Sequence, residues 1–196
     1  MRFESIYLAS RSPRRRELLQ QMAVDFTVIN SDVDETVRAK ESPADYVVRI
    51  AEAKARAGRA LLSNIDPKPV LAADTAVVVQ NRIFGKPVND ADARRMLKQL
   101  SGSTHQVLTA VTLATQDGVL QTKISTSEVS FAQLSDSQID WYLQTGEGND
   151  KAGAYAIHGL AALFIEKIAG SYSGIVGLPI RETGQLLMRM ESKREQ

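Results

Sequence analysis

The amino-acid sequence predicts a mixed α/β fold, and three features predict it. The chain opens as strand, turn and helix: the apolar run Ile6-Tyr7-Leu8-Ala9 precedes Ser12-Pro13, a capping residue followed by proline at the first helical position. Val70–Val79 is apolar at nearly every position, the pattern of a strand buried on both faces. Between such extended runs lie capped segments with apolar residues at three- and four-residue steps, so helices and strands alternate along the chain.

In order, the strand Ile6–Ala9 leads to a helix over Pro13–Met22, with Leu18, Leu19 and Met22 as its apolar face, and then to a strand over Phe26–Asn30. The acidic loop Ser31-Asp32-Val33-Asp34-Glu35-Thr36 follows. Ser42, Pro43 and Asp45 form a capping-box-like start to a long helix that should reach Leu62. Pro67 and Pro69 bracket a loop before the strand Val70–Val79. Asn81-Arg82 reads as a hairpin turn, and Gly85-Lys86-Pro87 ends the return strand. Asn89 caps a helix to Leu100, and Gln106–Ala114 is a strand. Gln116-Asp117-Gly118 turns into another strand, with a further one over Lys123–Phe131. Ser135 caps a helix to Thr145, and Gly146–Asp150 is turn-rich. Ala152–Ile168 reads as turns and strands, Gly170–Pro179 as a glycine-rich loop, and Pro179 opens a last helix to Met190, with a charged, frayed end beyond Arg189. Without repeats or a low-complexity linker, the chain reads as one domain over residues 1–196.

Composition narrows the function classes. A chain of 196 residues can bury roughly 70% of its unfolded surface and needs no covalent staples; it has no cysteine, which excludes disulfides, thiol catalysis and cysteine metal sites. Twenty-four basic residues against 23 acidic ones give a net charge of +1, poor support for a nucleic-acid partner. No apolar run approaches the ~20 residues of a membrane helix, and no secretory h-region is visible, so the expected location is the cytoplasm.

Several residues break local rules. Arg14, Arg15 and Arg16 follow the Ser-Pro cap, where the helix terminus is already partly positive and each cation costs roughly 0.3–1 kcal/mol at an exposed site. A phosphate at that turn reverses the penalty and satisfies free backbone N–H groups. Asp74 stands inside the apolar strand, where a carboxylate is costly unless paired, hydrogen-bonded or metal-bound. Lys54 interrupts the apolar stripe Val47, Ile50, Ala57 and Leu61 of the long helix. It either snorkels outward or meets an anion in a cleft, with Ala51, Ala53 and Ala57 leaving room. Lys86 is held between Gly85 and Pro87. Asp34, Glu35 and Asp74 could supply an all-oxygen site for a hard divalent cation. His105 and His158 form no zinc pattern, Gly85-Lys86-Pro87 is no Walker motif, and no Gly-x-Ser-x-Gly elbow occurs. Several cations, two or three carboxylates and no thiol are the equipment for phosphoryl chemistry by positioning and electrostatics.

The motifs Leu8-Ala9-Ser10-Arg11-Ser12-Pro13-Arg14-Arg15, Ala73-Asp74-Thr75, Gly85-Lys86-Pro87, Leu100-Ser101-Gly102, His105-Gln106-Val107 and Val176-Gly177-Leu178-Pro179 resemble the Maf family of nucleoside triphosphate pyrophosphatases, from about Ile6 to Leu187. Lys151-Ala152-Gly153-Ala154-Tyr155 is similar to the branch acting on dTTP and UTP. The resemblance implies an elongated fold like that of the inosine triphosphate pyrophosphatases, with a central mixed sheet, two lobes and a deep cleft, usually as a homodimer. It implies that Arg14, Arg15, Lys54 and Lys86 contact the triphosphate, with Ser10 of the first motif among the substrate-binding residues. Asp74 would accept the proton of the attacking water, and Glu35 with Asp74 would bind Mg²⁺ or Mn²⁺. Arg14, Thr75 and His158 correspond to positions of substrate choice. The family branch usually has glutamine where His158 stands in Ala156-Ile157-His158-Gly159. The implied activity is hydrolysis of dTTP and UTP to monophosphate and pyrophosphate, with a housecleaning role in the nucleotide pool and an influence on septum formation. Two alternatives stand beside it: a nucleotide-binding regulator that scarcely turns over, and a sanitiser of modified purine nucleotides or methylated GTP.

Overall fold

A computed structural model of the chain describes residues 3–62 and 68–194; Pro67 of the expected loop lies outside them. The strands are β1 (Ile6–Ala9), β2 (Phe26–Ile29), β3 (Val70–Val79), β4 (Arg82–Phe84), β5 (Thr104–Ala114), β6 (Leu120–Phe131) and β7 (Ile165–Ala169). The helices are α1 (Pro13–Gln21), α2 (Pro43–Ala60), α3 (Asp90–Leu100), α4 (Asp136–Gln144), α5 (Tyr172–Val176) and α6 (Ile180–Arg194). The sheet is mixed, in the order β2-β1-β3-β5-β6-β7, with β4 pairing β3; β1 runs parallel to β2 and β3, and the other pairs are antiparallel.

Helix starts follow their caps. Ser42 accepts the N–H of Asp45, Asn89 accepts that of Asp92, and Ser135 with Gln138 closes a full capping box. Ser12 occupies the N-cap position of α1 with Pro13 behind it, but its side chain makes no cap bond.

Three expectations are corrected. The two strands expected between Gly118 and Phe131 are one, because every residue of β5 pairs with β6 in unbroken register from Thr104–Ser130 to Ala114–Leu120; the ladder carries the polar stretch through. The glycine-rich loop contains a helix, α5, capped by Ser171 Oγ accepting the Gly174 N–H. The helix end beyond Arg189 is not frayed within the described residues: α6 continues to Arg194.

Helix α2 covers one face of the sheet. Its Tyr46, Val47, Ile50 and Ala51 meet Ala76, Val78, Leu108 and Ala110, while Ala55 meets Ala9, Val70, Ala72 and Ala114. On the other face, α1 and α6 pack on β1 and the first half of β3, and α3, α4 and α5 pack on the far halves of β3, β5 and β6. The buried face of α2 is therefore offset from the stripe read in the sequence: Leu61 is 63% exposed, while Ala51 and Ala55 are fully buried. The small side chains of Ala51 and Ala55 bring the helix close to the sheet, and none of Ala51, Ala53 and Ala57, the alanines expected to leave room for a ligand, lines the cleft described below. Gly58 serves the same approach, since a Cβ there would lie 3.0 Å from both Ala9 Cβ and Val70 Cγ1.

Candidate active site

The sheet itself opens the site. Strand β5 runs along the whole of one edge of β3, from Val70 to Val78. On the other edge, β1 pairs only with Val70 and Leu71, and β4 begins at Val77. Residues between those two partners have an unpaired edge, and Asp74 and Thr75 stand there. Alternation sends Asp74 to the α2 face and Thr75 to the opposite face. Groups from both layers thus converge on the gap where β1 ends.

The gap belongs to a cleft of about 800 Å³ whose lining includes Ser10, Arg14, Arg15, Glu35, Lys54, Asp74, Thr75, Lys86 and His158. All the residues singled out by the resemblance therefore share one cavity. On the α2 side, Lys54 does not snorkel. Its ammonium lies 2.8 Å from Asp74 Oδ1 and 2.8 Å from Glu35 Oε1, bridging the two carboxylates. Asp74 is only 5% exposed. Burial raises its pKa above the usual carboxylate value, and Lys54 and Arg15 oppose that rise. The Tyr46 hydroxyl donates to the Glu35 carbonyl at 3.1 Å, fixing the backbone of the acidic loop; burial, with Asp74 and Glu35 nearby, pushes the phenol up to about 12.

On the opposite side, Arg15 is held at three points. Its Nε donates to the Gly177 carbonyl at 2.8 Å, Nη1 to Ser10 Oγ at 3.1 Å and Nη2 to Thr75 Oγ1 at 3.4 Å. Burial lowers its pKa, and Asp74 and Glu35 act against that. Ser10 Oγ also accepts the Ser12 N–H at 3.2 Å. Thr109, directly across the ladder from Thr75, brings its hydroxyl within 2.9 Å of Thr75 Oγ1 and 2.8 Å of the Gly174 carbonyl.

At the rim, Arg14 donates to Glu17 at 2.7 Å on the surface, and Lys86 makes no hydrogen bond or ion pair with a described residue. The Gly85 carbonyl accepts the Gly153 N–H at 3.0 Å, tying the lysine's turn to the segment that carries Tyr155. His158 is exposed at the cleft edge; burial of part of its ring, then Arg14 and Lys151, hold its imidazole below the usual value. Much of the remaining wall is apolar, with Phe84, Val107, Tyr155, Ile157 and Ile175, while Arg11, Asp32, Asp150 and Lys151 add further charge to the lining. The cleft thus has a cationic half suited to a polyphosphate and an apolar half suited to a planar ring.

Two expectations do not hold in the geometry. Asp34 is not part of the cleft; its Oδ1 accepts the Thr36 N–H at 2.9 Å in an exposed turn. Arg16, which the charge pattern alone groups with Arg14 and Arg15 but to which the resemblance assigns no role, is exposed and outside the cleft, so two of the three consecutive arginines reach the cavity. Thr109 and Tyr155 join the site without a role assigned from the sequence. A hydroxyl inside the apolar strand Gln106–Ala114 is the available signal for the first; Tyr155 stands in the motif that marks the family branch.

Comparison with known proteins gives the family and the fold. Residues 5–190 match the family described as Maf-like protein. The dTTP/UTP pyrophosphatase of Nitrosospira multiformis is 54% identical, over 93% of this chain and 92% of its own. The nucleoside triphosphate pyrophosphatase of Xylella fastidiosa strain M23 is 50% identical, over 95% of this chain and 98% of its own. Among solved structures, the Staphylococcus aureus Ham1 protein shares the fold, with a TM-score of 0.53 at 15% identity over 97% of this chain and all of the other. A family match spanning nearly the whole chain, with relatives identical at half their positions, places this protein in the Maf family.

Proposed function

We propose that this protein hydrolyses dTTP and UTP to the nucleoside monophosphate and pyrophosphate, by attack of water on the α-phosphorus, as a cytoplasmic housecleaning enzyme of the nucleotide pool. The observation that carries the reading is the buried Asp74 carboxylate, aimed into the same cleft as Arg14, Arg15, Lys54 and Lys86. The names of the relatives supply the nucleobases.

Asp74 is suited to take a proton from water. A carboxylate whose pKa is raised by burial is a stronger base than a solvated one, and the Lys54 ammonium keeps it ionised and oriented. Arg15, already locked by Ser10, Thr75 and the Gly177 carbonyl, offers its remaining N–H groups without further ordering. Arg14 and Lys86, at the rim, close on the outer phosphates and hold the pyrophosphate as it leaves.

The donor set also fits a divalent cation. Mg²⁺ in phosphoryl-transfer sites takes one or two carboxylates and completes its shell with phosphate oxygens and water. Glu35 and Asp74, joined across Lys54, are such a pair. Among the described residues no cluster of three or more His, Cys, Asp or Glu could hold a metal, so the nucleotide would have to supply the remaining ligands. When bound, Mg²⁺ or Mn²⁺ would supply charge neutralisation at the phosphate oxygens. The homodimer is carried over from the family resemblance, and light scattering on the purified protein checks it.

The test is a nucleotide panel with Mg²⁺ or Mn²⁺, scoring both products. Pyrophosphate and monophosphate from dTTP and UTP, abolished by excess EDTA, are expected. Stepwise orthophosphate release, or full activity in EDTA, would overturn the reading.

A further inference from the structure

Glu147 lies outside the cleft and has no part in the chemistry above, yet its carboxylate accepts three hydrogen bonds. It sits in the turn after α4. Its Oε1 accepts the Tyr142 O–H at 2.9 Å and the Ala161 N–H at 3.2 Å, and its Oε2 accepts the Leu160 N–H at 2.8 Å. The Tyr142 oxygen in turn accepts the Ala156 N–H at 3.3 Å. The two side chains therefore grip the backbone on both sides of Ile157-His158-Gly159. Leu160 and Ala161 begin a 3₁₀ turn whose N-cap, Gly159, has no side chain to satisfy them; Glu147 does so from a distance in sequence. Burial alone would raise the Glu147 carboxyl, but the bonds from Leu160, Tyr142 and Ala161 outweigh it and hold it below the usual range.

A second, independent observation concerns Gly159. Its backbone is in an ordinary extended region, φ −114°, so glycine is not required by conformation. It is required by space: a Cβ there would lie 2.1 Å from Glu147 Oε2 and 2.4 Å from its Cδ. The carboxylate lies flush against the glycine, and an alanine would displace it.

We propose that Glu147 is a positioning residue for base selection, holding the turn that presents His158 to the nucleobase. This rests on the reading of His158 as a base contact. A glutamine at 147 cannot substitute. It offers one carbonyl oxygen, and its NH₂ group would face a backbone N–H or the tyrosine hydroxyl, putting donor against donor on one side of the clamp. The turn then loses its fixed position, and discrimination at a hydrogen-bonding site falls more than turnover does.

The experiment measures kcat and KM for UTP and CTP in wild type, Glu147→Gln, Gly159→Ala and His158→Ala. Amide hydrogen exchange of Leu160 and Ala161 is followed in parallel. Glu147→Gln and Gly159→Ala should each deprotect those two amides and lower the UTP-to-CTP ratio of kcat/KM about tenfold, mainly through KM for UTP, with kcat changed less than about twofold. Combined with His158→Ala, Glu147→Gln should add little further loss. A Glu147→Gln enzyme that loses amide protection but keeps its base ratio, or loses kcat equally on both nucleotides, has a structural clamp only and overturns the proposal. If His158→Ala leaves the ratio unchanged, the base-contact reading falls and the proposal with it. If wild type releases no pyrophosphate from either nucleotide, the enzymatic reading itself has failed, a distinct result.

Discussion

Replacing Lys54 by methionine tests the electrostatics of the cleft directly. From the apolar stripe of α2 alone, methionine would fit and cost the fold little. The ion pairs reverse that expectation. At 2.8 Å and an effective dielectric of ~20, the Lys54–Asp74 attraction is ~6 kcal/mol before desolvation is charged against it. Removing one member of a buried pair typically costs about 3–5 kcal/mol, because the other charge is left uncompensated. Arg15 still opposes the rise in the Asp74 pKa, and Glu35 is half exposed and adds little. The lower end, about 3 kcal/mol, is therefore expected, a fall in Tm of about 6–12 °C for a chain of this size. The pH dependence has a definite sign. The folded-state pKa of Asp74 lies above its unfolded value, so its contribution is fully present below ~3.9 and lost as pH rises through the folded pKa. Losing Lys54 raises that pKa further and moves the loss to higher pH. The deficit of Lys54→Met should therefore grow as pH rises above the ordinary carboxylate range and shrink as pH falls toward ~3.9. Asp74→Asn in the same background should restore most of the stability while leaving turnover abolished. Thermal denaturation of the three proteins (wild type, Lys54→Met and the Lys54→Met/Asp74→Asn double variant) at both ends of that pH range is the assay. A Lys54→Met protein as stable as wild type, with a pH-independent difference, would refute the reasoning.

Two further predictions concern the histidines. The UTP-to-CTP ratio of kcat/KM should rise as pH falls, because a protonated His158 donates from both nitrogens and favours the O4 acceptor of uracil. The midpoint should lie below the ordinary ~6.5, since burial, Arg14 and Lys151 hold the imidazole down; His158→Gln should flatten the profile, and a ratio unmoved by pH and substitution would remove His158 from base reading. His105 is 2% exposed, with Nε2 bonded to the Tyr155 hydroxyl at 2.8 Å and Nδ1 without a hydrogen-bond partner among the described residues, and burial lowers its pKa to about 4. The unfolded chain takes up that proton nearer ~6.5, so stability should fall with pH between these values, by about 3 kcal/mol in full. His105→Gln should lose that component, read as a smaller acid-side drop in denaturation midpoint than wild type shows.

Much of the molecule was legible because local chemistry and fold agree. Ser42, Asn89 and Ser135 mark helix starts by the same hydrogen bonds that cap them in the structure, and Asp74 stood out because a charge inside a doubly buried strand needs a partner. What was illegible depends on distance in sequence. Nothing local shows that β1 leaves the edge of β3 after Leu71 and that β4 joins it at Val77, yet that gap is what opens the site. The span from Gly118 to Phe131 reads as two strands in the sequence, because its hydroxyl-rich residues owe their continuous extended form to β5. Lys54 left two outcomes open in sequence, and only the approach of Glu35 and Asp74 decides between them. Asp34 and Glu35 are neighbours with equal claims by residue type; the turn at Thr36 takes the first and leaves the second facing the cleft.

The central claim is that water attacks the α-phosphorus with Asp74 as the proton acceptor. Hydrolysis of dTTP in ¹⁸O-water, followed by mass spectrometry of both products, tests it most directly. The account predicts one ¹⁸O in the monophosphate and none in pyrophosphate, with Asp74→Asn slowing incorporation by about 10²–10⁴-fold. Label in the pyrophosphate, or an Asp74→Asn enzyme that incorporates label at the wild-type rate, would contradict it.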